Sequence, residues 1–471
     1  MSAELRNTLI DSARTIAETL SDFAAGLDYA AIPATARVAA KLHLLDSVGV
    51  AYASASFDFA RRTLDSVSGF GSGDYEVIGM SGRLALRDAV LMNGVLIHGL
   101  DFDDTSSVGR VHPSAFVTPC VLGMGAFVKA SGKDVLTAYI AGVECAVRIG
   151  AAARGGFQHA GFHPVGVVGA FGAAIAAGRL LGLDAAQLTM AQGIAYSTAA
   201  GNNEFTANDA WTKRMHAGWA GVGGITAAML ARGGFVGPRT PYEGKFGLYR
   251  IYLGAGAANC DLAQITARLG TRWEIEHVAY KPVASCHFNH PIIDATIALV
   301  TEHDLAPRDI KSLRALLPEA AINAVCEPRA NKLALTDLYA AQFSVYYAAA
   351  CAAARRRYTL ADLEPSALSD PEVLALAAKV EYAVDPQSNF PRHYSGAVEI
   401  VTHDGRRLSR REDVNRGSSE RPLTRAEIEG KFLENAERVI PKARAEAVRD
   451  AILNIDACAD VRSVTRELCL R

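Results

Sequence analysis

The chain has 471 residues, with 48 Lys and Arg against 50 Asp and Glu and a formal net charge of −2. That balance leaves no basic field to hold nucleic acid or an anionic membrane. Hydrophobic residues make up 50%, which suits a soluble protein with a sizeable core and room for two domains. From the N-terminus, MSAELRNTLIDSARTIAETL reads as an amphipathic helix without the apolar stretch of a signal peptide. ATARVAAKLHLLDSVGVAYA (34–53) puts Val38, Leu42, Leu45 and Val48 on one helical stripe. A glycine-punctuated connection, GFGSGDYEVIGMSGRL (69–84), has room for a short strand. DVLTAYIAGVECAVRIGAAA (134–153) and GVVGAFGAAIAAGRLLGL (166–183) are apolar nearly all round, which predicts helices buried by other helices. No apolar run reads as long enough to span a bilayer.

The texture changes near 275. DIKSLRALLP, KVEYAVDP, GAVEIVTHDG and RRLSRREDV carry strand patterns, with HDGR as a hairpin turn. Between them LYAAQFSVYYAAACAAARRR and SDPEVLALAAKV read as helices, the second opening with a serine cap and a proline just inside. Residues 276–420 therefore form a smaller α+β domain after a helical first segment, 1–275. From LTRAEIEGKFLENAERV (423–439) the pattern is helical again, and periodicity alone does not say where this tail packs. The eight cysteines are scattered without a CxxC pair, which predicts reduced, cytoplasmic thiols and neither a disulfide frame nor a zinc site.

Four stretches carry chemistry. HGLDFDDT (98–105) holds three aspartates and a histidine. Read alone, these aspartates could bind a metal, act as an acid, or end one helix and cap the next, and capping has the largest share. GRVHPSAF and AGFHPVGVVG each place a histidine before a proline, so His112 and His163 each stand at a helix start, where the dipole lowers an imidazole pKa and favours an anion. TKRMHAG holds Lys213, Arg214 and His216; two cations there read alone as a solvated face. HVAYKPVASCHFNHPIIDA holds Lys281, Cys286, His287 and His290; the two histidines could share a metal only on a helix, and Pro291 argues against one. Fingerprints for nicotinamide, ATP, an acyl-serine or a zincin are missing from the sequence. Acidic and histidine groups beside lysines suit general acid–base chemistry with cationic clamps.

HGLDFDDT, HPS, GFHPVGVVGAFGAAIAAGRLLGL, TKRMHAG, KPVASCHFNHPIIDA, FSVYYAAA and PLTRAEIEGKF together resemble, in order and spacing, the MmgE/PrpD family, over about 45 to 435. That family includes 2-methylcitrate dehydratases, cis-aconitate decarboxylases and iminodisuccinate epimerases. The resemblance implies a mainly α fold: a large all-α domain built from both chain ends, 1–275 with 421–471, and an inserted α+β lid, 276–420. It also implies a homodimer and no cofactor or metal. The family's active-site positions fall on Asp101, Thr105, His112, His163, Lys213 and Lys281, with Asp103 and Asp104 structural. Two departures from the decarboxylases stand out. The spacer TSSVGRV is about one residue longer and carries Arg110, and Cys286 falls where their pattern has a histidine, with His287 adjacent. The expected protein is a cofactor-independent lyase on a small di- or tricarboxylate. Its carboxylates are held by Lys213, Lys281 and Arg110, Thr105, Cys286 and His287 contact substrate, and His163 and His112 move the proton with Asp101. The runner-up is an epimerase. A carboxylate-binding protein without catalysis and a metal-dependent phosphohydrolase are the rivals from other classes.

Overall fold

The structure is a computed structural model and describes residues 14–208 and 210–470, so most of the predicted first helix, residues 1–13, lies outside it. The chain is mainly α. In order come α1 (Ile16–Gly26), α2 (Ala34–Ala55), a two-residue ladder of β1 (Tyr75–Glu76) and β2 (Arg83–Leu84), α3 (Leu86–His98), α4 (Pro113–Val128), α5 (Gly132–Ala152), α6 (Pro164–Leu180), α7 (Ala185–Tyr196) and α8 (Thr212–Arg232). The prolines of both His-Pro pairs are the first residues of α4 and α6, with His112 and His163 as their caps.

Glycine and alanine let these helices approach closely. A Cβ on Gly94 of α3 would lie 2.4 Å from the Gly218 Cα of α8, and one on Gly224 of α8 would lie 2.4 Å from the Ala173 Cβ of α6. Almost every residue of α5 and α6 is buried, as their all-round apolarity requires. By length and composition α5 could also cross a membrane, contrary to the sequence reading, but its apolar stretch is buried inside the protein. Of the stripe expected on α2, Leu45 and Val48 are buried, Leu42 is half-buried and Val38 is 51% exposed; Ala36, Ala40 and Leu44 also face inward.

In the second half, α9 (His290–Glu302), β3 (Ile310–Leu317), α10 (Leu338–Gln342), α11 (Val345–Arg355), α12 (Pro371–Ala377), β4 (Val380–Val384), β5 (Gly396–Thr402) and β6 (Arg407–Glu412) follow. All four expected strands join one sheet of order β4-β3-β5-β6, with β3–β4 parallel and the other pairs antiparallel. The HDGR turn closes β5 to β6, with Gly405 at φ 90°. The single helix expected over 338–357 is broken at Phe343–Ser344, where Ser344 caps α11. Asp370, not Ser369, caps α12, because its carboxylate accepts from the Glu372 N–H.

The chain ends on α13 (Arg425–Ala436), α14 (Lys442–Leu453) and α15 (Arg462–Leu468). α13 lies along α2, with Phe432 against Gly49. From α13 the buried Lys431 reaches through to Asp46 of α2 at 2.7 Å and donates to the Phe102 carbonyl at 2.9 Å. Burial raises the Asp46 pKa and Lys431 opposes that. Removing one partner of such a pair strands a buried charge. Lys431→Ala is expected to cost on the order of 3–5 kcal/mol in urea unfolding, with part recovered in the Lys431→Ala/Asp46→Asn double variant.

Candidate active site

The aspartates of HGLDFDDT follow directly on the end of α3 and are all buried. Asp101 sits at φ 49°, a left-handed turn. Its Oδ1 accepts from Lys213 Nζ at 2.6 Å and Lys281 Nζ at 2.9 Å, and Lys281 also donates to the Asp101 carbonyl at 2.9 Å. Burial alone would raise the Asp101 pKa, but the two ammonium groups hold it well below the usual carboxylate range. Thr105 exchanges both backbone hydrogen bonds with Ala279 at 2.8 Å, which brings Lys281 alongside. Gln342, at the end of α10, donates to the Leu100 carbonyl and to Ala284 O, fastening the same loop from the other side.

Asp104 does cap a helix. Its Oδ1 accepts from the Ser114 N–H at 3.2 Å, and its Oδ2 accepts from the Ser114 hydroxyl and lies 2.9 Å from His43 Nδ1. Asp103 is buried beside two histidines. Its Oδ2 lies 2.8 Å from His98 Nδ1 and 3.4 Å from His112 Nδ1, so it orients two imidazoles. Burial raises its pKa, and these imidazoles bring it well below 3.8.

Four histidine rings run in a row. Centroids are 5.0 Å apart for His112–His98, 5.5 Å for His98–His163 and 5.1 Å for His163–His216. Burial, with Lys213 nearby, pushes His98 and His216 down to about 4 and also lowers His163 well below the usual imidazole range, with the neighbouring imidazoles contributing. Burial is the largest cause of lowering at all three of these histidines. His98, Asp103 and His112 could together hold a metal ion. The 2.8 Å and 3.4 Å contacts onto one shared carboxylate oxygen also fit plain hydrogen bonding.

All nine residues singled out from sequence, Asp101, Thr105, Arg110, His112, His163, Lys213, Lys281, Cys286 and His287, line one cavity of about 470 Å³. Lys213 and Arg214 are buried, correcting the solvated-face reading. Arg214 donates to the Gly99 carbonyl at 2.8 Å, with its guanidinium 4.4 Å from the Phe59 ring centroid. Arg110, at φ 50°, makes no ion pair among the described residues; its guanidinium lies over the Phe390 ring and against Gly155, where a Cβ would collide with it. The Cys286 thiol is held protonated by burial and by Asp101. His287 reaches the cavity with its ring stacked on Tyr394 at 4.1 Å and its Nε2 accepting from Asn415. Sequence reasoning missed Asn203, Phe205, Phe343 and Tyr394 of the lining, and His98 and His216 behind it. His98 was visible as the first residue of HGLDFDDT and His216 as the histidine of TKRMHAG.

Two outcomes follow from this geometry. Asp104→Ala removes a helix cap, worth about 0.5–2 kcal/mol, and strands His43, at about 1–3 kcal/mol more, while the Ser114 hydroxyl keeps its bond to Tyr139; chemical denaturation should show a loss on the order of 1.5–5 kcal/mol. His98 and His216, at about 4 in the folded chain, should stay neutral through pH 5.5 in histidine NMR titrations. Their depressed pKa values mean the unfolded chain binds more protons between about pH 4 and 6.5, so each contributes a stability loss as pH falls through that window.

The MmgE/PrpD N-terminal domain matches residues 18–260 and the MmgE/PrpD C-terminal domain matches 283–457. A cis-aconitate decarboxylase of Homo sapiens is 28% identical over 397 residues, covering 81% of this chain and 79% of the relative. One of Mus musculus is 27% identical over 408 residues, covering 82% and 79%. One of Aspergillus terreus is 26% identical over 448 residues, covering 91% of each. With both domains matched across most of its length, the chain belongs to the MmgE/PrpD family and is an enzyme of its lyase type.

Proposed function

We propose that this enzyme acts on a small di- or tricarboxylate without a cofactor, by general acid–base proton transfer at carbon. The observation that carries the reading is the charge of the cavity. Lys213, Lys281 and Arg110 face the single lining carboxylate Asp101, and the lowered imidazole of His163 stands beside them. Such a lining favours a polyanion, and its cations stabilise charge that builds on a carboxylate when the adjacent carbon loses a proton or CO₂. In dehydration, the C–H electron pair becomes the new C=C bond, the proton goes to an imidazole, and hydroxide leaves with a proton from a second group. In decarboxylation, the C–CO₂ pair moves into the carbon frame, CO₂ leaves, and an imidazole that has drawn a proton from solvent returns it to carbon. His163 is the principal proton-transfer residue and His112 the second, oriented by Asp103. The similarity to cis-aconitate decarboxylases favours a tricarboxylate. Cys286 and Arg110 adjust how that acid is held. The second reading, epimerisation of a dicarboxylate, draws on the presence of two imidazoles, His112 and His163, on one cavity wall system.

The reading extends to architecture. Residues 1–275 and 421–471 form the catalytic body, and 276–420 is a lid that brings His287, Phe343 and Tyr394 over the cavity. The protein works as a cytoplasmic homodimer, away from nucleic acid and membranes. Its eight free cysteines fit a reducing compartment. The apolar stripe of Trp211, Met215 and Trp219, each more than 40% exposed along the start of α8, fits a contact between copies.

The test is incubation with a panel of carboxylic acids in D₂O, read by NMR. Water loss, CO₂ loss and bare deuterium exchange separate dehydratase, decarboxylase and epimerase, and inertness towards every acid would leave a binding protein. Turnover should persist in EDTA. His163→Ala should lose about 10²–10⁴-fold in rate and its solvent exchange, while still melting like the parent. A folded His163→Ala that keeps exchange defeats the assignment. Lys213→Ala and Lys281→Ala each remove a charge-assisted bond to Asp101, worth roughly 1.5–3 kcal/mol, so kcat/KM should fall about ten- to a hundredfold.

A further inference from the structure

His163 touches the cavity, but its other ring nitrogen faces inward. His163 Nδ1 and His216 Nδ1 lie 2.9 Å apart, with ring planes at 44°. His216 lies near the start of α8, three residues after Lys213, so one turn of helix supplies both the partner of Asp101 and the partner of His163. Both rings are buried, and the Phe205 ring closes against each of them.

Two imidazole nitrogens at this distance form a hydrogen bond only if one carries hydrogen and the other offers its lone pair. The two tautomers are therefore coupled. If His163 carries hydrogen on Nδ1, its Nε2 presents a lone pair, and His216 accepts through Nδ1 with hydrogen on its own Nε2. If the bond runs the other way, His163 Nε2 carries hydrogen and has no lone pair for a carbon acid. We infer that His216 is a positioning residue that accepts the His163 Nδ1–H, fixing His163 in the tautomer whose Nε2 is the base. This rests on the assignment of proton transfer to His163.

The same bond favours the reacting state over the resting one. When His163 Nε2 takes a proton from carbon, the C–H electron pair stays with the substrate and the ring becomes a cation. Its Nδ1–H then makes a charge-assisted bond to the neutral His216, shorter and stronger than the bond between two neutral rings. An interaction that strengthens as charge develops raises kcat rather than lowering KM. His216, kept neutral by burial, offers its lone pair without competing for the proton. A carboxylate in its place would make the bond stronger and would also draw His163 towards the charged form before substrate arrives.

The experiment uses the full chain with ¹⁵N-labelled histidine, and the His163 and His216 signals are identified by their loss in His163→Gln and His216→Phe. At pH 7, His163 should show a protonated Nδ1 and an unprotonated Nε2, with the reverse at His216. Hydrogen on His163 Nε2 overturns the inference, whatever the enzyme's reaction proves to be. In kinetics with the acid that the panel identifies, His216→Phe should lower kcat ten- to a hundredfold with KM within twofold. His216→Gln, whose side-chain oxygen can still accept, should recover at least a third of the lost factor on a logarithmic scale. Unchanged kcat in His216→Phe, or equal losses in both variants tracking a lowered melting temperature, also overturns it. The expected tautomers in a protein that turns over no acid would instead count against the lyase reading alone.

Discussion

Four buried carboxylates crowd one corner of this molecule, and the fold around them is organised by the need to compensate each. Asp101, Asp103 and Asp104 sit on the loop after α3, and Asp46 on α2 lies behind it. A buried carboxylate without a partner is costly enough to shift its pKa or unfold its surroundings. Each of the four is met from a different part of the chain. Asp101 takes Lys213 from α8 and Lys281 from the segment before α9, Asp103 takes His98 and His112, Asp104 takes His43 and the start of α4, and Asp46 takes Lys431 from α13. Elements distant in sequence are thus held to one loop by charge, while the glycine-rich helix contacts supply the close approach that lets side chains of ordinary length reach.

Much of this was legible in the sequence. The strands of 310–412 carry their period, and the HDGR turn its glycine. The two His-Pro pairs mark helix starts because proline fixes its own φ and restricts the residue before it, and both rules act locally. The nine lining residues came from ordered motifs, and they do converge on one cavity. What stayed hidden depends on partners remote in sequence. Asp103 and Asp104 are neighbours with the same chemistry, yet one orients imidazoles and the other caps α4; the difference lies only in where the chain turns after the left-handed Asp101. Lys213 and Arg214 look like surface cations until Asp101 and the Gly99 carbonyl are brought to them. Ser369 looks like a cap until the backbone brings Asp370 one residue closer to the helix.

The imidazole row shows the same dependence. Burial among apolar helices makes the charged form of His98, His163 and His216 costly, and the neighbouring ammonium of Lys213 adds to that cost. Neutral histidines are therefore a product of the packing of α3, α6 and α8 around the site. The proposed proton transfer at a carbon beside a carboxylate would need a base that is free at neutral pH, together with cations that do not take its place. Lysines tied to Asp101 satisfy the second need and buried imidazoles the first.

The ratio of two lysines to one aspartate is the last element of that balance. Asp101 alone does not neutralise Lys213 and Lys281, and Arg110 adds a further cation at the cavity wall. Full pairing would stabilise the empty enzyme more and leave less attraction for an anion. Removing Asp101 would strand two ammonium groups in a dry site and free them to move. One carboxylate between them fixes both in place and leaves the surplus charge for an incoming acid. The field that a bound carboxylate meets is then set before it arrives, with little reorganisation required when charge shifts during the reaction. Held at φ 49° with both ammonium groups on one oxygen, Asp101 is the residue whose backbone and side chain together set that field.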